Sequence, residues 1–222
     1  MSDATYTFTD TRRSMPAPFS GTLVSDATHF VIAALALGFL APLMLLVAIA
    51  VFAHDGGPVV FAHRRIGRQG RTFPCLKFRS MAMDAEARLA ELLRSDPDAR
   101  AEWERDHKLR DDPRVTKLGV FLRKTSLDEL PQLFNVLRGE MSLVGPRPIV
   151  EGEICKYGRR FSYYCSVKPG ITGIWQVSGR NDTTYRARVA MDCIYAQRRN
   201  LGLDLTVLFL TVPAVLARRG SY

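Results

Sequence analysis

Phe30–Ala53 reads FVIAALALGFLAPLMLLVAIAVFA, and the nearest carboxylates on either side are Asp26 and Asp55. As a helix this run is about 36 Å long, against a bilayer hydrocarbon core of about 30 Å. It is apolar on every face, which speaks against a core helix of a soluble protein. It starts late and has no convincing A-x-A site after it, so it does not read as a cleaved signal peptide. Two membrane topologies compete. The helix either crosses once, or bends near its middle and returns to the side it left. Pro42 removes one backbone hydrogen bond at the centre and permits a bend. Arg12 and Arg13 precede the run; His63, Arg64, Arg65, Arg68 and Arg71 follow it. Positive charge on both flanks fits two cytoplasmic ends better than one.

Outward from this segment the chain divides into a loose polar tail (1–22), the membrane segment (23–55) and a catalytic-sized remainder (56–222). Gly56-Gly57-Pro58 ends the apolar run. Val59–Phe61 and Thr72–Phe78 read as strands of a hairpin, turning at Ile66–Gly70. Met81 to His107 is helical in composition, broken at Asp96-Pro97, with Leu89, Leu92 and Leu93 on one face of an amphipathic pair. A helix is expected from Ser126 to Arg138, stopped by Gly139. Further helices are expected over 151–166 and Thr184–Asn200, with loops at Lys168–Gly170 and Ser178–Arg180. Leu203–Ala217 is apolar but carries Asp204, and suits an interfacial position or a place against the first segment. The fold class is mostly α with a small β-hairpin.

The net charge of +9 and pI near 9.7 call for an acidic partner: nucleic acid, anionic lipid or a phosphorylated substrate. The membrane segment favours anionic membrane lipids. The aromatic–basic interleaving of a nucleic-acid binder is missing, so no nucleic-acid partner is expected. Cys75, Cys155, Cys165 and Cys193 form no CxxC pair and read as free thiols in a reducing cytosol.

Asp128 and Glu129 sit in Thr125-Ser-Leu-Asp-Glu-Leu-Pro-Gln132. Two readings stay open. Ser126 and Glu129 have the spacing of a capping box, and acids suit a first helical turn in any case. Alternatively, a carboxylate among Arg114, Lys117, Arg123, Lys124, Arg138 and Arg147 stays ionised and attacks phosphorus, while its neighbour holds Mg²⁺. Ser142–Pro148 is a rigid loop in which two prolines flank Arg147, either a simple turn or a pre-positioned phosphate ligand. Lys77–Met81 alternates basic and apolar residues like a half-buried strand, and Lys168–Gly173 has the makings of a phosphate nest.

Taken together, Lys77–Met81, Asp112–Thr116, Leu122–Gln132, Asn135–Gly139, Ser142–Pro148, Lys168–Gly173 and Gln176–Arg180, with Asp192, Tyr195 and Asp204, resemble the bacterial sugar transferases, the small monotopic phosphoglycosyl transferases. The resemblance covers roughly residues 25–217. It implies transfer of a sugar 1-phosphate, galactose or glucose, from a UDP-sugar to undecaprenyl phosphate, opening exopolysaccharide or glycoconjugate assembly. Asp128 would be the nucleophile of a covalent phosphosugar intermediate, with UMP leaving; Glu129, beside Asp128, would bind Mg²⁺. Arg123 would face a carrier or lipid phosphate. Lys77, Arg79, Arg114, Arg147 and Arg180 would serve the donor phosphates or the fold around them. The apolar segment would be a re-entrant helix-break-helix in the bacterial inner membrane, with amphipathic interfacial helices, a catalytic domain facing the cytoplasm and possible homo-oligomers. One departure is Ala41-Pro42 where the family usually has Ser-Pro, which removes a hydroxyl able to satisfy a freed carbonyl. The rival reading is a non-catalytic basic scaffold of a polysaccharide assembly complex.

Overall fold

The computed structural model describes residues 22–106, 109, 111–179 and 183–216. Residues 1–21 of the expected tail lie outside them. The apolar run forms α1 (Thr22–Asp55), helical throughout, including across Pro42. The expected break is therefore not an interruption of the helix. The bond that Pro42 forfeits is the single one to the carbonyl of Gly38, and the remaining turns keep theirs. Among the described residues α1 is the one helix long and apolar enough to cross a membrane. Leu35 and Phe39 are 70% and 85% exposed, an apolar outer face that water would not favour.

After the Gly56-Gly57 break come β1 (Val60–Ile66) and β2 (Thr72–Phe78), an antiparallel hairpin in the register Val60↔Phe78 to Ile66↔Thr72. α2 (Ala85–Ser95) and α3 (Pro97–Asp106) follow. Their junction is as expected: Asp96 Oδ1 accepts from the amides of Asp98 and Ala99 at 2.9 and 3.0 Å. α4 (Lys117–Thr125) was not expected. Thr116 caps it, accepting from Gly119 N at 2.9 Å. The expected Ser126–Arg138 helix is instead a 3₁₀ turn at Leu127–Glu129 followed by α5 (Gln132–Leu137). Ser126 takes a left-handed conformation (φ 58°), and Pro131 separates the two pieces.

The expected 151–166 helix is broken too. It comprises a turn, α6 (Ile154–Tyr157) and α7 (Phe161–Ser166), parted at Gly158, whose φ of 51° no helix tolerates. The chain contains a second sheet, parallel, of β3 (Ser142–Val144) and β4 (Gly170–Thr172). Gly145 and Gly170 permit it, because a Cβ at either would collide with the opposing backbone. α8 (Ile174–Ser178), α9 (Tyr185–Arg198, capped by Thr184) and α10 (Leu201–Leu216) complete the order.

One apolar core joins Ala33 of α1, Phe73 and Cys75 of β2, Leu133 and Val136 of α5, Leu143 and Val144 of β3 and Val207 of α10. A second gathers Met44, Val47 and Val51 of α1 around Phe78 and Leu122. Both halves of α1 thus pack on the same body. Polar ties secure both ends. Asp26 pairs with Lys168 at 3.0 Å and Arg199 at 2.5 Å, and Asp55 pairs with Arg79. Between them, His29 bonds the Ser142 hydroxyl and stands 3.3 Å from Asp204, which also accepts from the Tyr195 hydroxyl at 2.7 Å. His29 and Asp204 are 1% and 0% exposed, so this clamp is dry.

Removing one member of a buried charged group costs about 3–5 kcal/mol, because its partners stay desolvated. Asp204→Ala should destabilise the detergent-solubilised protein by that order, read as a lower melting temperature, and Tyr195→Phe by about 1 kcal/mol. Equal melting of Asp204→Ala and parent would contradict the clamp.

Candidate active site

Strand alternation puts Phe73, Cys75 and Lys77 on one face of β2, with Arg65 and His63 opposite Phe73 and Cys75 on β1. Phe73 and Cys75 enter the core; Lys77, last in the row, reaches its edge. There it meets the 3₁₀ turn, Nζ lying 2.6 Å from Glu129 Oε1 and 3.6 Å from Asp128 Oδ2. Asn135 locks the distance. Fully buried on α5, it accepts from Leu76 N at 3.0 Å and donates to Pro74 O at 2.8 Å. Glu140 holds its amide at 2.6 Å.

The capping reading of the acidic pair is not realised. Ser126 makes no side-chain cap, and the Glu129 carboxylate accepts from Lys77 instead. The two carboxyls sit in unlike surroundings. Burial, with the Glu129 charge alongside, pushes the Asp128 carboxyl above the ordinary value of 3.8 against the pull of Lys77, Arg123 and Arg147. That corrects the expectation that surrounding arginines dominate: Asp128 is only 7% exposed, and desolvation wins. Burial acts on Glu129 as well, but there Lys77 and Arg147 outweigh it and hold the carboxyl low. Adjacent carboxyls pushed apart in this way suit two different tasks.

Arg65, Cys75, Lys77, Glu129, Gln132, Arg147, Pro148, Gly170, Ile171 and Gln176 line a cleft with a free volume of about 10 Å³, room for about one water. The Pro-Arg-Pro loop is fixed to the hairpin by Ile66 N donating to Ile149 O at 2.9 Å and by Arg65 donating to Pro148 O at 3.2 Å. Burial and the neighbouring Arg147 pull the Arg65 guanidinium below its ordinary value. Cations gathered in this way are suited to an anion.

The remaining expected site residues are distributed differently. Arg123 donates to Ser80 Oγ at 2.9 Å, with Asp128 and Asp112 in its field. Arg79 is tied to Asp55 and Gly56 at the end of α1, and Arg114 holds Asp112 through two bonds of 2.8 and 2.7 Å with Trp103 beneath it. Arg180 lies outside the described residues. Sequence reading missed Arg65, Gln132 and Gln176 as cleft residues. Strand alternation placing Arg65 and Lys77 on one face was the available signal for the first.

Magnesium prefers one or two carboxylates, with substrate phosphates and water completing six oxygens. Asp128 and Glu129 offer that donor set, and Lys77 shows that the place between them suits a cation. Among the described residues there is no group of three or more His, Cys, Asp or Glu, so the pair would depend on substrate oxygens for the rest.

The family model described as bacterial sugar transferase matches residues 21–218. The undecaprenyl-phosphate galactose phosphotransferase of Salmonella typhimurium is 56% identical over 181 residues, 82% of this chain and 38% of that protein. The exopolysaccharide production protein ExoY of Sinorhizobium fredii is 53% identical over 191 residues, 86% of this chain and 84% of its own length. The UDP-glucose:undecaprenyl-phosphate glucose-1-phosphate transferase of Xanthomonas campestris is 40% identical over 200 residues, 86% of this chain and 38% of that protein. The chain thus spans about two fifths of the galactose and glucose enzymes and most of ExoY.

The two carboxyls should respond oppositely to neutralisation. A carboxyl raised in the fold stabilises below its unfolded pKa and loses that contribution as pH rises through the folded one; a depressed carboxyl does the reverse. At pH 7, Asp128→Asn should therefore melt at or above the parent temperature. Glu129→Gln should melt below it, the deficit closing as pH falls through the folded Glu129 pKa. Thermal melts across pH 4–8 check both, and like signs at pH 7 would contradict the assignment.

Proposed function

The chain belongs to the bacterial sugar transferase family, and from that premise we propose that it moves a sugar 1-phosphate from a UDP-sugar to undecaprenyl phosphate, with Asp128 as nucleophile. The observation that carries this reading is the acidic pair itself: one carboxyl raised by burial, its neighbour held ionised, both reached by Lys77 beside a cationic cleft. A scaffold would have no use for carboxylates kept out of water at such cost. Galactose is the favoured cargo, because the relative named for it is more similar than the one named for glucose. Likeness to the exopolysaccharide protein favours a role early in exopolysaccharide assembly.

In the first step an Asp128 carboxylate oxygen attacks the phosphorus that bears the sugar, the phosphoanhydride bond breaks, and UMP departs. In the second, an oxygen of undecaprenyl phosphate attacks the same phosphorus, the acyl-phosphate bond breaks, and the Asp128 carboxylate returns. The product is the undecaprenyl diphosphate sugar. Desolvation leaves Asp128 a stronger nucleophile than a solvated carboxylate. As the donor enters, Lys77 exchanges its carboxylates for donor phosphate, and Arg147 and Arg65 hold the diphosphate oxygens. Glu129, with Asp128, would hold Mg²⁺, which supplies charge neutralisation that improves the nucleotide as a leaving group. Arg123 would meet the carrier phosphate.

The same reading puts the protein in the bacterial inner membrane with its catalytic body on the cytoplasmic side and α1 re-entrant. Support comes from α1 being tied to that body at both ends, through Asp26 and through Asp55. A body on one side of a bilayer cannot hold both ends of a crossing helix.

Three outcomes follow. Purified protein should transfer label from UDP-[³H]galactose to undecaprenyl phosphate, and Asp128→Asn should lower turnover at least about 10³-fold, as losing a covalent nucleophile does; near-parental turnover removes the nucleophile. Because Asp128 must be ionised and its carboxyl is raised, kcat/KM should fall on the acid side at a pH above the ordinary aspartate value of 3.8. Cysteines placed at 5 and 60 should label from the same side of sealed vesicles; opposite sides would show a crossing helix.

A further inference from the structure

Gln176 lies on α8 within the cleft, beside Arg147, Gly170 and Ile171. Its Nε2 donates to the Ile171 carbonyl at 3.0 Å. A carbonyl only accepts, so this bond fixes which way the amide faces. Oε1 is then the free end. It is buried and has no hydrogen-bond partner among the described residues. The other buried side-chain atoms in that condition belong to Ser25 and His29 on α1 and to Arg199 and Asp204, which pair with α1 through Asp26 and His29. Gln176 is the one in the cleft.

We propose that Gln176 Oε1 accepts a hydrogen bond from a hydroxyl group of the nucleotide-sugar donor and so selects for it; this rests on the donor reading above. Arg65, Lys77 and Arg147 line the cleft with cationic donors, whose partners are phosphate oxygens. An ionised diphosphate has acceptors only, so it cannot satisfy Oε1. The donors nearest the diphosphate in a UDP-sugar are the hydroxyls of the hexose and of the ribose; the uracil N3–H lies beyond the ribose. The cleft must widen from its present 10 Å³ to admit any nucleotide sugar, and the proposal requires that the same widening expose Oε1. A buried acceptor built for a hydroxyl discriminates strongly, since a donor lacking that group leaves the acceptor desolvated and unpaired. Gln176 is a specificity-determining residue in this reading, with no part in bond making.

The test uses UDP-hexoses deoxygenated one position at a time, plus the 2′-deoxyribose nucleotide donor, on the parent protein and on Gln176→Leu. One deoxygenated donor should lose about 10- to 100-fold in kcat/KM with the parent. Gln176→Leu should lose a similar factor with the intact donor and nothing further with that deoxygenated one. If the hydroxyl is on the hexose, UDP inhibits parent and variant equally; if on the ribose, UDP inhibition weakens in the variant by the same factor. Both results support the assignment and say which sugar is read. Additive losses, or undiminished activity of Gln176→Leu, overturn it and leave a bound water as the partner. Should the variant fail to fold, the parent alone decides: no single deoxygenation costing more than about 3-fold overturns the proposal. Absence of turnover with every intact UDP-sugar would instead overturn the donor reading, and this one with it.

Discussion

Two neighbouring carboxylates held mostly out of water need a cation, and Lys77 supplies it from a different strand. Asp128 and Glu129 lie on a 3₁₀ turn, Lys77 at the end of β2, and Asn135 bonds the strand edge so that the two cannot drift apart. With Lys77 between them, neither acid faces the interior alone, a condition that would cost several kcal/mol. The arrangement is asymmetric. Lys77 is within hydrogen-bond distance of Glu129 and beyond it from Asp128, which leaves one carboxyl compensated and the other poised. Arg65, with Glu153 3.9 Å away, and Arg147 extend the positive field into the cleft beside Glu129.

The membrane element and the body behave as one packed unit. α1 contributes Ala33 to the same core as β2, α5, β3 and α10, and its second half shares a core with Phe78 and Leu122. Phe78 is one residue from Lys77, and Leu122 one from Arg123. The exposed apolar face of α1 is therefore linked within a few residues to the cations around the acidic pair. The lipid-borne acceptor proposed above would need that proximity, because its chain cannot leave the bilayer. The dry clamp of His29, Ser142, Tyr195, Asp204 and Arg199 keeps the first half of α1 in register with β3, the strand that leads into the Pro-Arg-Pro loop.

Local chemistry was legible in the sequence wherever one signal acted alone. The hairpin turn, the Asp96-Pro97 break, the helix beginning at Thr184 and the apolar run all stand where the residues say. The acidic pair was legible as a place and ambiguous as a structure. Ser126 and Glu129 have capping-box spacing, yet Ser126 adopts φ 58° and Glu129 is drawn to Lys77, a partner 52 residues away that no local pattern encodes. α4 is short, and its cap, Thr116, falls among Asp112–Arg114 and Lys117, where charged residues mask the helical periodicity. Arg65 was read as a topological charge, and only pairing with β2 turns it to the cleft. The continuity of α1 through Pro42 and the burial that raises Asp128 are both tertiary effects, set by what packs around these residues.

The most direct measurement is the mass of the purified protein mixed with UDP-galactose and Mg²⁺ in the absence of any polyprenyl phosphate, followed by peptide mapping. A chemical link between protein and sugar phosphate predicts a species heavier by one hexose phosphate, with the added mass on the peptide containing Asp128 and its loss on addition of undecaprenyl phosphate. Full transfer activity with no such species on the path, or an adduct on any other residue, would contradict it.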